Sequence, residues 1–383
     1  MMIDGPLLRD VVIGKEAQTL VRAGYQVLVL ADWEPTRHLY GYNPTHYKGF
    51  DIKYYKTKSF KSLILPNVGS LLQRIKEFKP DIIHVQNSLI SPYGLLASKV
   101  AKVPIILYLH DVSSLLIASL PYNNLAKIIA TGYHFFTEAY PIRSADQIIT
   151  NTLEMKQIIS KMYFIKDAKM DVVLNTPSKN EFIDVRPIRD ARLKNRFVIL
   201  YTGSIDPFRN LHEVISSMKS VKSPAKPLLV IVGGAPSGYE WCVAELQNFI
   251  DKEGLGDMVL VCGRLPRQTT LQYIAASDVC VVAHKVNFYT NLVNPTKIHE
   301  YAALGKAIIS TPLYGVLTQY GKCVTVWDGV STNTLAELFS RFASNAKLRS
   351  IKGNEAKHMF ENELCWDVQE KKFLEIYERI LKK

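Results

Sequence analysis

The sequence predicts an α/β protein made of two doubly wound halves, and three observations support this prediction. Short apolar runs of the kind found in buried strands alternate with stretches of helical periodicity, which indicates βαβ units and parallel sheets. These runs are apolar at almost every position, as expected for strands that are covered on both faces. A stretch rich in proline and charge at residues 175–194 separates two such series, and 383 residues suffice for two domains.

The first half begins with little room for an opening strand, because only residues 1–3 precede the first loop. Apolar runs predict strands at residues 27–30, 82–85, 105–109 and 147–150. Apolar residues at helical spacing predict helices at residues 15–23, 68–78, 93–101, 123–139 and 153–162.

The second half repeats this alternation and ends in helices. Apolar runs predict strands at residues 198–202, 228–232, 258–261, 279–282 and 307–310. Helical spacing predicts helices at residues 211–218, 241–252, 268–275, 297–304 and, last, near 365–382. Ligands of doubly wound sheets bind at the carboxyl ends of the strands, so we expect a ligand cleft between the halves.

The composition narrows the class of protein. Lysine and arginine number 47 against 35 acidic residues, which gives a net charge of +12 and favours an anionic partner. No apolar run approaches the roughly 18 residues of a membrane span, and the N-terminus has no secretory signal pattern. The five cysteines are scattered, which argues against a disulfide framework or a zinc cluster. We therefore expect reduced thiols and a cytoplasmic protein.

The most informative segment is PTKIHEYAALGK, which begins at Pro295. Pro295 suits the first turn of a helix, and Asn294 is placed to cap it. The start of such a helix attracts phosphate, and Lys297 in its first turn is best explained by a bound anion. Glu300 lies about one turn further on and is a candidate to accept hydrogen bonds from ribose or sugar hydroxyls. The alternative is an ordinary amphipathic helix with a solvated Glu300.

A second segment, YTGSIDPFRNL, follows the predicted strand at residues 198–202. Gly203 lets the backbone turn tightly and approach a ligand. Arg209 precedes the next helix and is a candidate to bind a pyrophosphate. The alternative is a plain turn between strand and helix with a surface arginine.

Two further places in the first half are candidates for substrate contacts. His110 follows the predicted strand at residues 105–109, where it faces the expected crevice. A lone histidine at a strand end is, alternatively, a satisfied structural residue, and His84 presents the same choice. Asp10, Gly14 and Glu16 fall between the first strand and its helix, where a loop with a glycine can approach a diphosphate or an acceptor.

A basic stretch between residues 47 and 61 combines lysines with aromatic side chains. This combination suits an anionic lipid surface or single-stranded nucleic acid, and alternatively an edge strand protected by lysine. Its lysines are Lys48, Lys53, Lys56, Lys58 and Lys61.

Taken together, these segments resemble the family 4 glycosyltransferases, which have the GT-B fold. Residues 9–31 are similar to that family's first loop and helix, and residues 79–87 and 108–112 to strands of its N-terminal domain. YTGSIDPFRNL resembles its donor-phosphate loop. The most specific likeness is ASDVCVVAH followed by NPTKIHEYAALGKAIIST, and the resemblance covers nearly the whole chain.

The resemblance implies two Rossmann-like domains that face a central cleft. The acceptor domain would span residues 1–180 and be completed by a C-terminal helix, 365–383, that crosses back to it. The nucleotide-sugar donor domain would span residues 190–362.

The resemblance also assigns roles to individual residues. Glu300 would hold the ribose, Arg209 would contact the diphosphate, and His110 would lie near the transferred sugar. Gly14 would belong to the loop that closes over the site. The residues implied for the phosphate and sugar end of the donor pocket are Gly203, Ser204, Asn294, Pro295, Thr296 and Lys297.

The implied activity is that of a retaining hexosyltransferase that uses a nucleotide-diphosphate sugar and a glycan or lipid-linked acceptor, without a metal or other cofactor. The basic stretch adds the expectation of a peripheral position on the inner membrane face. A nucleic-acid partner is not expected, since no recognition motif accompanies the charge. Two departures from the family pattern, Leu292 in place of a glutamate and Ser204 in place of an arginine, motivate the alternative of a non-catalytic binding partner. A nucleotide-sugar epimerase with the same fold is a further alternative, but the catalytic carboxylates that it would need are not evident in this sequence.

Overall fold

The computed structural model of the chain describes residues 1–2, 11–32, 46–47, 49–55, 57–60, 63–66, 68–119 and 124–382. The chain divides into two compact units. Unit 1 comprises Met1–Asn175 and Gln369–Lys383, and unit 2 comprises Thr176–Val368. Each unit has a sheet of mainly parallel strands with helices between them, which confirms the predicted α/β class.

The sheet of unit 1 is parallel except at one edge. Strand order is β2-β3-β1 in one part and β6-β7-β8-β9 in the other, and β4 and β5 form a separate two-stranded sheet. Of these pairings, only β2–β3 and β4–β5 are antiparallel. The strands are β1 (Leu28–Asp32), β2 (His46–Tyr47), β3 (Phe50–Tyr55), β4 (Thr57–Phe60), β5 (Leu63–Pro66), β6 (Ile83–Gln86), β7 (Ile105–Leu109), β8 (Gln147–Thr150) and β9 (Met170–Val172).

Met2 joins the two parts of this sheet. It forms parallel bridges to Leu30 on one side and to Val85 on the other. Its amide nitrogen donates to the carbonyl oxygen of His84 at 2.8 Å, and its own carbonyl accepts from the amide of Gln86 at 2.9 Å. Within the described residues, the very short first strand expected from the sequence is represented by Met2, which lies between β1 and β6.

The helices of unit 1 connect these strands and cover the sheet. Helix α6 begins with a cap, because the Thr152 hydroxyl accepts from the amide of Met155 at 3.1 Å. The helices are α1 (Val11–Arg22), α2 (Val68–Phe78), α3 (Ser91–Ala101), α4 (Ser113–Ser119), α5 (Asn124–Ser144) and α6 (Leu153–Tyr163).

The sheet of unit 2 is wholly parallel, in the order β12-β11-β10-β13-β14-β15. The chain leaves β10 toward β11 on one side and later returns to β13 on the other side, so the strand order reverses at the β10–β13 pair. Crevices that bind ligands form at such reversals, at the carboxyl ends of the strands. The strands are β10 (Arg196–Thr202), β11 (Lys226–Val232), β12 (Val259–Gly263), β13 (Val279–Val282), β14 (Ala307–Ser310) and β15 (Thr325–Val326).

Helices flank this sheet, and the last one returns to unit 1. Helix α14 begins in unit 2, and from Gln369 onward it belongs to unit 1, as expected of the C-terminal helix. The helices are α7 (Leu211–Ser217), α8 (Trp241–Lys252), α9 (Arg267–Ala276), α10 (Lys297–Ala303), α11 (Tyr314–Tyr320), α12 (Thr332–Ser344), α13 (Ala346–Met359) and α14 (Trp366–Leu381).

Buried apolar strands were the most predictable elements. Strands β7, β8, β13 and β14 coincide with their predicted bounds, and every one of their residues is buried. Elements β2 to β5, β9, β15, α4 and α11 to α13 were not predicted. Among the described residues, no helix has the length and apolar character needed to cross a membrane.

Candidate donor-phosphate site and a histidine network

Two glycine turns meet at the carboxyl ends of β10 and β11. Gly203 has φ +125° and Gly233 has φ +154°, both in the region that favours glycine. A Cβ on Gly233 would lie 1.7 Å from the carbonyl oxygen of Gly203, so no side chain fits there. The amide of Gly203 donates to the carbonyl of Val232 at 2.9 Å. This close approach requires glycine at the turn after β11, where it meets the turn after β10.

The ammonium group of Lys297 lies beneath the Gly203 turn. Its Nζ would be 2.4 Å from a Cβ on Gly203, and it is 4.1 Å from the centroid of the Tyr201 ring. Nζ is buried and has no hydrogen-bond partner among the described residues. Burial and, next, the charge of Arg209 hold the pKa of Lys297 well below its usual range. An unpaired buried ammonium of this kind is costly unless an anion completes the site.

Arg209 is the second cation of the site. Its Nη2 donates to the Ser204 hydroxyl at 3.2 Å and lies 3.7 Å from a carboxylate oxygen of Asp206. Ser204 in turn donates to Asp206 at 2.5 Å, and the Phe208 amide donates to the same carboxylate at 2.9 Å. Asp206 thereby orients Arg209, whose Nε remains buried without a partner in the described part of the chain.

His284 lies two residues beyond the end of β13 and is the third polar side chain of the site. It pairs with Arg209 in an antiparallel bridge, and its side chain is buried. Its Nδ1 has no hydrogen-bond partner among the residues described. Burial, with the nearby charges of Arg209 and Lys297, holds the pKa of His284 well below its usual range. Three buried polar nitrogens without partners therefore lie beside a bare glycine turn, an arrangement suited to a bound polyanion.

Glu300 lies on α10, one turn beyond Lys297, and it is paired. Its Oε1 accepts from Nη1 of Arg267 at 2.5 Å, and Nη2 of Arg267 donates to Glu181 at 2.6 Å. The Glu300 side chain is 14% exposed. Burial raises the pKa of Glu300, and the adjacent Arg267 opposes that rise. In the described chain, Glu300 bonds Arg267 through Oε1 alone. Its Oε2 is therefore available to accept a hydrogen bond from a hydroxyl group.

The predicted cap of this helix is wrong. Helix α10 begins at Lys297, with Thr296 at the N-cap position and no side-chain capping bond, so Pro295 precedes the helix. Asn294 turns elsewhere, because its Nδ2 contacts Nε2 of His299 at 2.8 Å and Oε1 of Gln319 at 3.0 Å. These two contacts hold the Asn294 amide in an orientation in which its Oδ1 accepts no bond from the first turn. The Asn294 Oδ1 is buried and has no partner among the described residues.

His110 in unit 1 belongs to a buried hydrogen-bond network. Its Nε2 contacts Oε1 of Gln86 at 2.6 Å, and the Gln86 amide nitrogen donates to Glu16 at 2.6 Å. The carboxylate of Glu16 fixes the orientation of the Gln86 amide, so Gln86 Oε1 accepts and His110 Nε2 carries the proton. Nδ1 of His110 is then an unprotonated acceptor, buried and without a partner in the described chain.

The network continues from Gln86 to the C-terminal helix. The Gln86 amide nitrogen lies 3.2 Å from Nε2 of His84, and Nδ1 of His84 lies 2.5 Å from the Tyr377 hydroxyl on α14. His84 is therefore a packed structural residue, the more conservative of its two interpretations. Burial, together with the charge of Lys15, lowers the pKa of His110 to about 3, so this imidazole stays neutral at physiological pH.

The predicted loop at Gly14 is wrong, and most of the predicted basic stretch lies outside the described residues. Gly14 is the fourth residue of α1 and not part of a loop, because the apolar residues 11–13 already belong to that helix. Of the basic stretch, Lys53 pairs with Glu77 at 3.4 Å. Lys48, Lys56 and Lys61 lie outside the described residues, as does the side chain of Lys58.

Sequence reasoning missed several members of the site. Asp206 and Tyr201 stand inside a segment that was singled out, but only their contacts with Arg209 and Lys297 show what they do. Arg267 and Glu181 are separated by 86 positions in the chain, so no local pattern connects them with Glu300. His284 follows the apolar strand β13 by two residues, and a position after a strand is the same signal that identified His110.

Both halves of the chain match known protein families. Residues 11–176 match the family described as Glycosyltransferase Family 4, and residues 186–359 match Glycosyl transferases group 1. No curated protein matches the chain.

Solved structures with similar folds include proteins described as glycosyltransferases. Sucrose-phosphate synthase from Thermosynechococcus elongatus superposes with a TM-score of 0.78 and 13% identity, covering 100% of this chain and 98% of that one. Anabaena HepE in complex with UDP-glucose gives a TM-score of 0.74 and 15% identity, with 99% of each chain covered. WaaG, a glycosyltransferase involved in lipopolysaccharide biosynthesis, gives 0.65 and 17%, covering 97% and 98%. At these identities the likeness shows the GT-B fold, and with both family matches the chain belongs to the family 4 (group 1) glycosyltransferases.

Proposed function

We propose that this glycosyltransferase moves a hexose, with retention of configuration, from a nucleotide-diphosphate donor to a glycan or lipid-linked acceptor. The observation that carries the proposal is the set of unpaired nitrogens on Lys297, Arg209 and His284 beside the Gly203 turn. Arg209 is a cation, and a bound anion favours the protonated form of Lys297, so a diphosphate has the charge and the acceptor atoms to satisfy both.

The proposed chemistry needs charge stabilisation more than a nucleophile on the protein. The bond between the anomeric carbon and the diphosphate oxygen breaks, and its electron pair stays on that oxygen. The acceptor oxygen bonds to the same face of the sugar, and its proton passes to the departing diphosphate. Lys297 and Arg209 would stabilise the negative charge that develops on the leaving group, and buried cations are effective there because little water screens them.

The nucleoside end of the donor is proposed to bind at Glu300. A buried carboxylate with Oε2 available suits the vicinal hydroxyls of a ribose, and Arg267 would keep the group ionised and oriented. HepE structures hold UDP and UDP-glucose, which makes uridine the first base to test. Ser204 would act through Arg209, since its hydroxyl accepts from that guanidinium.

His110 is proposed to serve the acceptor unit. Its unprotonated Nδ1 would accept a hydrogen bond from a substrate hydroxyl, and the Gln86–Glu16 pair would keep it in that tautomer. We expect the transfer to need no metal ion, because Lys297 and Arg209 already supply positive charge to the diphosphate. A cytoplasmic location is proposed with it, because nucleotide-sugar donors are soluble anions, and nucleic acid is not expected as a partner.

The test is a thermal unfolding series with UDP, GDP, ADP and their glucose conjugates. A ligand that binds only the folded state raises the melting temperature. At 100 times its Kd, it adds about 2.7 kcal/mol to the free energy of unfolding. We expect one nucleotide to stabilise the wild type and to lose its effect in Lys297→Met. The control is Arg341→Met, which removes an exposed cation of α12 in the same unit.

The control variant should respond to the nucleotide as the wild type does. No stabilisation of the wild type by any nucleotide would reject the proposed donor site. It would return weight to the non-catalytic alternative, which the family matches do not favour.

A further inference from the structure

The outer face of α5 is apolar where a soluble helix is normally polar. Ile128, Ile129, Phe136 and Tyr140 are 68%, 63%, 76% and 60% exposed. At 100° per residue these positions fall on one side of the helix, with Tyr133 between them. The opposite side holds the buried side chains of His134 and Glu138. An apolar face of this length is rare on a soluble monomer unless a partner covers it.

A groove continues this face toward α4. The cavity between α4 and α5 measures about 630 Å³ and is lined largely by apolar side chains, among them Leu115, Ala118, Phe135 and Met162. Ile128 lines the groove and also belongs to the exposed face, so the two surfaces are continuous. Helix α4 begins three residues after His110.

The charged side chains that contact this face or line its groove are cations. Lys99 on α3 donates to the Tyr140 hydroxyl at 2.7 Å, and Arg143 lies over the Phe164 ring at 5.8 Å. Lys127 lies at the groove. The one acidic residue in α3, α4 and α5 is Glu138, which is buried and bonds Tyr163 at 2.6 Å. Cations beside aromatic rings at the edge of an apolar face suit the interface of a bilayer with anionic headgroups.

We propose that the outer face of α5, with the α4–α5 groove, docks on an anionic lipid bilayer. Ile129 and Phe136 enter the acyl-chain boundary, while Lys99, Lys127 and Arg143 meet the headgroups. A second copy of the chain fits less well, because a twofold contact would set the same three cations against themselves. The proposal is independent of the transfer chemistry. That docking delivers a lipid-linked acceptor to unit 1 is a consequence that rests on the proposed function.

The test is flotation of the full chain with vesicles of mixed phosphatidylglycerol and phosphatidylcholine. We expect the wild type to bind, to be released as salt increases, and to bind phosphatidylcholine alone weakly. Ile129→Gln with Phe136→Gln should weaken vesicle binding by about tenfold or more, because two apolar side chains that the bilayer would bury are lost. Lys99→Gln with Arg143→Gln should remove most of the salt dependence.

The matched control is Ile183→Gln with Val330→Gln, which removes two apolar side chains of unit 2 that are 72% and 76% exposed. It should bind vesicles as the wild type does. Unchanged binding of Ile129→Gln/Phe136→Gln, or equal binding to neutral vesicles, would overturn the proposal. So would a wild-type dimer in light scattering that this double variant dissociates. Nucleotide stabilisation, measured on every variant, separates these outcomes from a failure of the donor site.

Discussion

The Nζ of Lys297 lies 4.1 Å from the centroid of the Tyr201 ring and has no hydrogen-bond acceptor in the described chain. The aromatic face offers the ammonium some compensation, but less than the water it has lost. The free protein is therefore held in a state that a bound anion would stabilise. Under the proposed function, affinity for the donor and stability of the empty site would therefore be opposed at this one residue.

Lys297→Met should consequently stabilise the empty protein while it abolishes the response to nucleotide. An unpaired buried polar group costs about 1–3 kcal/mol, so we expect a gain of about 1–2 kcal/mol in the free energy of unfolding at pH 7. Urea unfolding with and without nucleotide measures both effects. A variant that is less stable than the wild type would indicate that the ammonium has a partner in solution.

The same lysine predicts a dependence on pH. Its pKa is lowered on folding, so above that lowered pKa and below the unfolded value near 10.4 the unfolded state binds a proton that the folded state does not. Stability of the empty protein should rise with pH through this window. The slope should flatten in Lys297→Met and persist in Arg341→Met, measured by urea unfolding from neutral to alkaline pH.

The contact between Gly233 and Gly203 predicts an unusually severe glycine substitution. Gly233→Ala would bring a methyl group to 1.7 Å from a carbonyl oxygen, and we expect a loss of about 3–5 kcal/mol. Gly238→Ala is the matched control, because Gly238 has φ +85° but nothing lies within 4 Å of its would-be Cβ. It should lose only about 1–2 kcal/mol. Equal losses in urea unfolding would show that backbone strain, not the close approach, determines the effect.

The pairing of Glu300 with Arg267 predicts how the ribose is sensed. Glu300→Gln should weaken nucleotide binding by about tenfold or more, as expected for a lost bond to a charged group. Glu181→Gln is the matched control, because it removes the other carboxylate of Arg267. Calorimetry with UDP and its 2′- and 3′-deoxy forms measures the effect. Glu300→Gln should no longer distinguish these ligands, and retained discrimination would place the ribose elsewhere.

These contacts also show how far the sequence determines the site. Strands such as β7 and β13 are buried on all sides and coincide with continuous apolar runs, so their ends, and hence His110, were predictable. Gly203, Arg209, Lys297 and Glu300 were recognised as candidates for the same reason: they follow a strand or begin a helix.

What could not be predicted depends on contacts distant in the chain. The cap assigned to Asn294 failed because His299 and Gln319 compete for its side chain, and Gln319 lies on the next helix. The sequence indicated a loop at Gly14 because glycine is common in loops. The three apolar residues before it nevertheless extend α1 to Val11. The apolar face of α5 was missed because its periodicity indicates an amphipathic helix without indicating which side faces the core.

The bond between Gln86 and His110 predicts a histidine that is neutral and in one tautomer. Folding lowers the pKa of His110 to about 3, below its unfolded value near 6.5, so between these values stability should rise with pH. In ¹⁵N spectra of the wild type, the His110 ring should remain protonated at Nε2 alone from pH 7 down to about pH 4. Gln86→Met removes the acceptor that fixes this proton, so both tautomers should appear, and transfer should slow at unchanged nucleotide affinity. Ser88→Ala is the control, because it alters a neighbouring buried hydroxyl that bonds Ser113 and not the imidazole. A wild-type His110 that titrates near pH 6.5 would contradict the network, because that pKa would show that the imidazole is solvated and not held by Gln86.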